Sequence, residues 1–144
     1  MRVSHLFVVT AIVELAAGAA FVAMPSVMAT LVLGAALPPG VSAVLARVAG
    51  AALIAIGAMC AVARRDEHSV AAKAIILGLT VYNAATVLLL ALSALVLEVA
   101  GPLLWPAALL HVAMTVWGVG ARRRADMAST LSSYRRRVAV PTRR

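Results

Sequence analysis

Only one cysteine, Cys60, occurs in the 144 residues, so no disulfide closes within the chain and no paired redox chemistry can be built from it. Charge is scarce as well. Twelve per cent of residues are charged against 64% hydrophobic, and the mean hydropathy of +1.03 lies outside the range of a soluble domain. No nucleotide-binding glycine loop, no Ser-His-Asp order and no cysteine pair is present, which removes common signatures of nucleotide, acyl-transfer and thiol chemistry. Period-two alternation of polar and apolar residues is also missing, which argues against a transmembrane barrel.

What the chain does have is apolar length. Val8–Met24 reads VVTAIVELAAGAAFVAM, a run long enough to cross a bilayer with one carboxylate, Glu14, near its centre. With Met1-Arg2 ahead of it the run has the charge pattern of a secretory leader, but it is too long for one and carries Glu14, so a retained first span is expected. Three further blocks follow, giving expected spans of about 4–24, 41–63, 70–97 and 103–120. In lipid each span must satisfy its own backbone, so the expected fold is all-α: an antiparallel bundle of four transmembrane helices over residues 1–121. Ser26–Leu33 is expected as a short helix at the outer interface or as the bent end of the first helix, and Pro38-Pro39-Gly40 as the turn into the second span.

The net charge of +8 is unevenly placed. Of thirteen Lys and Arg, twelve are Arg2, the group Arg64, Arg65 and Lys73, and eight arginines from Arg122 onward. By the positive-inside rule these three places are expected to be cytoplasmic, which puts both termini inside. Residues 122–144 form a basic tail in which Met127, Leu131, Tyr134 and Val138 recur at helical spacing. Such a tail is expected to lie on the membrane, with Arg122, Arg123, Arg124, Arg135, Arg136 and Arg137 on anionic headgroups. Nucleic acid is the less favoured partner. Trp105 and Trp117 are expected at the two interfaces.

Helices approach closely in lipid through small residues. Arg47, Gly50, Ile54, Gly57 and Ala61 share a face of the second span, Glu14, Ala17, Gly18 and Phe21 a face of the first, and Ala107, His111, Thr115 and Gly118 a face of the fourth. These faces are expected to turn inward, and other Gly/Ala faces to dock a second copy or another membrane chain. At 1.5 Å per residue, Glu14, Asn83 and His111 each lie about 15 Å from the basic end of their spans, near the bilayer midplane. Tyr82, Thr86 and Thr115 lie at similar depth, and Arg47 about 10 Å further out.

A carboxylate, an amide and an imidazole at one depth on three helices make the candidate ligand or proton site: Glu14, Asn83, His111, Tyr82, Thr86, Thr115 and Arg47. Two readings stay open. In one, Glu14 and His111 share a proton beside a bound ligand, with Asn83 and Tyr82 orienting it; in the other, the same groups bond across helices and fix packing. Arg47 can snorkel to outer headgroups, pair with Glu98 or reach toward Glu14. No cofactor is predicted, and Glu14 with His111 alone supplies too few ligands for a closed metal site.

The order VELAAG (Val13–Gly18), ARVAGAAL (Ala46–Leu53), VYN (Val81–Asn83) and LLWPAALLH (Leu103–His111), with Trp117, resembles an uncharacterised group of small bacterial four-helix membrane proteins over about Ser4–Gly120. The resemblance implies the architecture and no activity. Glu14 in a first short helix is also a feature of small multidrug-resistance exporters, but their aromatic-rich second and third helices have no counterpart here. Three functions follow, in order of preference: a non-catalytic accessory or assembly protein; a binding protein or proton-coupled carrier for a small apolar ligand using Glu14 and His111; and a membrane enzyme with the same pair as acid and base.

Overall fold

The computed structural model describes residues 3–67 and 69–138, with the backbone alone for 125, 126 and 128–138. Five helices follow in order: α1 (Val3–Ala23), α2 (Pro25–Leu33), α3 (Val41–Ala63), α4 (Val70–Leu95) and α5 (Leu104–Val138), with no strand among the described residues. Four are long and apolar enough to cross a membrane: α1, α3, α4 and the Leu104–Arg124 part of α5. The fold is an all-α bundle of four membrane-length helices.

Local chemistry sets the boundaries. Met24, which precedes a proline, leaves the helical region (φ −135°, ψ 60°), so α1 stops and Pro25 opens α2 as a separate short helix. Gly34 ends α2 in the left-handed conformation (φ 78°), its N–H donating to the Thr30 carbonyl at 2.9 Å. Ser69 caps α4, its hydroxyl oxygen accepting from the Ala72 N–H at 3.0 Å. No break separates the fourth span from the basic segment: α5 runs through Gly120 and Arg122 to Val138, so the two are one helix. The Arg135, Arg136 and Arg137 side chains lie outside the described residues, whereas Arg122, Arg123 and Arg124 are exposed.

The spans associate as two close pairs, α1 with α3 and α4 with α5, while the α3–α4 and α1–α5 seams are sparser. The α1/α3 pair is close because glycine lets backbone meet backbone. A Cβ on Gly18 would lie 2.6 Å from the Gly50 carbonyl oxygen, and one on Gly50 would lie 2.7 Å from that of Gly18. Lower down, Gly57 faces Leu15 and Ala11. The matched positions run in opposite directions along the two helices, so the pair is antiparallel. In the second pair Gly118 takes the side chain of Thr80.

The two ends are closed differently. At one, the α2 carbonyls of Val32 and Leu31 accept from the Gly101 and Leu103 N–H groups at 2.9 and 2.8 Å, which seats the α4–α5 connection on α2. At the other, the Ser4 N–H at the start of α1 donates to Glu67 Oε2 in the α3–α4 connection at 2.6 Å. A carboxylate there satisfies an orphan donor and complements the helix dipole. The main apolar core lies in this half: Leu6, Phe7 and Ala11 of α1, Cys60 of α3, Ala72, Ile76 and Leu79 of α4, Met114 and Ala121 of α5. Trp117 packs against this core, on the face of α5 that carries Met114 and Ala121.

Candidate functional site

Above that core, at mid-length of the spans, the polar side chains meet. Glu14 is 4% exposed and Asn83 2%, so both face the bundle interior. The Tyr82 hydroxyl on α4 donates to Glu14 Oε2 on α1 at 3.4 Å, a long hydrogen bond joining the two close pairs. On the other side of Tyr82, its ring meets the His111 ring edge-on, with centroids 5.7 Å apart and planes at 83°. Tyr82 therefore touches both members of the acid/base pair proposed from sequence.

His111 and Asn83 hold each other. His111 Nδ1 and Asn83 Oδ1 are 2.7 Å apart, and Asn83 Nδ2 donates to the Leu79 carbonyl one turn back at 2.7 Å. With the amide fixed this way, Oδ1 is an acceptor, so Nδ1 of the neutral imidazole carries the proton and Nε2 the lone pair. That is the only ring nitrogen left to take a proton or meet a ligand.

Not every candidate residue reaches this cluster. The Thr86 and Thr115 hydroxyls donate to the Tyr82 and His111 carbonyls one turn back, at 2.9 and 2.8 Å, which commits them to their own helices. Arg47 is exposed and its Nε donates to the Val22 carbonyl at 3.2 Å, tying α3 to α1 near the α2 end. Val22 is two turns, about 12 Å, beyond Glu14, so Arg47 is engaged at another level of the bundle. Among the described residues no group of three His, Cys, Asp or Glu could hold a metal ion.

One residue of this region went unread in the sequence. Thr10, 1% exposed, precedes Glu14 by one helical turn and so shares its face; its Oγ1 is buried without a hydrogen-bond partner. A buried unpaired hydroxyl is unfavourable by about 1–3 kcal/mol. The i, i+4 spacing from Glu14 is the signal that marks it.

The arrangement is a bonded chain across three helices: Glu14, Tyr82, then Asn83 with His111. It ties α1 to α4 through the Tyr82 hydroxyl and α4 to α5 through the Asn83 amide. Comparisons with known families, curated proteins and solved structures gave no match to the chain.

Proposed function

We propose that the chain is a non-catalytic accessory or assembly protein of a bacterial inner membrane, with its polar cluster acting as a latch between two helix pairs. The Tyr82–Glu14 bond carries this reading, because it joins α4 to α1, which belong to different pairs. Glu14 and His111 each turn to a residue of α4, and bonded neighbours of this kind fix packing more directly than they perform chemistry. A docking role is supported by α3, whose Val44, Val48, Ala51, Ala55 and Ala58 form an exposed row at helical spacing that suits another membrane helix or a second copy. Cytoplasmic termini agree with the placement of the basic residues and with the Ser4–Glu67 bond, which sets the start of α1 beside the α3–α4 connection. Anionic lipid remains the partner proposed for Arg122, Arg123 and Arg124.

The test is substitution at the two ends of the latch. Glu14→Gln and His111→Ala are expected to lower unfolding stability in detergent while leaving the native assembly intact at any pH where the protein folds. A pH-dependent loss of bound small molecule in either variant, at unchanged stability, would replace this reading with the second one. That second reading, binding of a small apolar ligand, is favoured by one observation: the groove between α3 and α4 ends at Tyr82, the residue that touches Glu14 and His111.

A further inference from the structure

The sparse α3–α4 seam holds two cavities, of about 550 and 400 Å³, that share Met59 and Ile75 in their walls and so form one groove. One end lies at Asp66 and Ser69, in and beside the α3–α4 connection; the other lies at Gly78 and Tyr82. From Ser69 to Tyr82 is about 20 Å along α4, against about 15 Å for half a hydrocarbon core. The groove is therefore one leaflet deep, and its mouth is at the membrane surface.

Gly78 keeps the inner part open. A Cβ there would meet nothing within 4 Å, unlike the glycines of the α1/α3 contact. Glycine inside a helix destabilises it by about 0.5–1 kcal/mol relative to alanine, and here no neighbouring backbone makes use of the missing side chain. A helix crossing the whole membrane would need a seam spanning both leaflets, and this groove ends at Tyr82. A single hydrocarbon chain fits both the depth and the apolar walls.

The mouth adds charge of both signs. Asp66 is exposed and lines the end of the groove; Arg64 and Arg65, also exposed, precede it just outside the lining, with Arg64 Nε donating to the Ala61 carbonyl at 3.1 Å. Arginine suits a phosphate and the aspartate suits an ammonium. We infer that the α3–α4 groove is a site for one acyl chain of a zwitterionic, amine-bearing phospholipid, with the chain end against Tyr82 and the headgroup on Arg64, Arg65 and Asp66. This rests on the ligand-binding reading of the seam and names its ligand class.

The experiment uses the full chain in vesicles containing phosphatidylethanolamine with a diazirine at mid-chain, in parallel with phosphatidylglycerol carrying the same group, followed by peptide mapping after illumination. Adducts are expected on Met59 and Ile75 with the ethanolamine lipid in preference. Asp66→Asn should remove the preference, and Gly78→Leu, which has room to fold, should remove the adducts at unchanged thermal stability. A headgroup-free apolar diazirine separates the two levels: if it labels the seam and the lipids do not, the lipid inference fails and the ligand reading stands; if neither labels it, both fail. Adducts that ignore Gly78→Leu, equal labelling by both lipids, or cross-links to a second chain at this seam would each overturn the inference.

Discussion

Gly50 and Gly78 sit on neighbouring helices, yet their surroundings are opposite. A Cβ on Gly50 would strike the Gly18 carbonyl at 2.7 Å and Phe21 Cβ at 2.9 Å; a Cβ on Gly78 would strike nothing. Small residues in a membrane helix are usually read as sites of close approach, and in α3 that reading holds. In α4 the same residue type leaves a void instead. What separates them is the partner: α1 brings its own glycine to Gly50, whereas α3 presents Met59 and Ile56 along the seam near Gly78 and remains apart from it.

The largest effect is expected where the backbones touch. Gly18→Leu or Gly50→Leu forces α1 away from α3 and should destabilise the protein by about 3 kcal/mol, at the upper end of overpacking penalties. Unfolding in mixed micelles reads this directly. Gly78→Leu in the same assay should stay close to the parent; equal losses at the three glycines would erase the distinction between the seams.

Next in size is Asn83→Ala. It removes the acceptor from His111 Nδ1 and leaves a half-buried imidazole N–H without its partner, which should lower stability by about 1–3 kcal/mol. Since Asn83 lies in the α4/α5 pair, the loss should appear even in a variant whose α3–α4 groove has been filled by Gly78→Leu. If the two changes fail to add, the close pair and the open seam are energetically one unit.

A smaller change of opposite sign is expected from Gly78→Ala. With open space for the new methyl group, the substitution should stabilise by up to about 1 kcal/mol through helix propensity. Gly57→Ala, whose Cβ would lie 3.1 Å from the Leu15 N and 3.2 Å from the Ala11 carbonyl oxygen, should not. Thermal melts of the two variants side by side sharpen the same contrast at the level of one methyl group.

Much of this architecture is legible in the sequence, for physical reasons. Apolar length fixes the four spans, and rise per residue places Glu14, Asn83 and His111 at one depth, where the structure does bring polar side chains together. Rotation about each helix axis is harder to read. Depth alone gave His111 and Asn83 as partners for Glu14, but the neighbour that reaches Glu14 is Tyr82, one residue before Asn83 and about 100° around α4, while His111 bonds Asn83. The open α3–α4 seam was equally hidden, since alanine and glycine look alike whether a helix packs on them or not. The continuity of α5 escaped as well: Gly120 and the arginine triplet read as a junction, yet helical hydrogen bonding carries across them.

The smallest effect tests the latch itself. Tyr82→Phe and Glu14→Gln each remove one side of the 3.4 Å bond between the pairs, and each also perturbs its own surroundings, so single variants do not isolate it. In a double-mutant cycle the coupling is expected at about 0.6 kcal/mol, the mean for polar contacts between membrane helices. His111 lies against the Tyr82 ring, so the phenylalanine variant keeps the edge-on contact and changes only the hydroxyl. A coupling near zero would mean that α1 and α4 are held by packing in the lower core alone. A coupling at the expected size assigns the carboxyl group to the bond between the pairs.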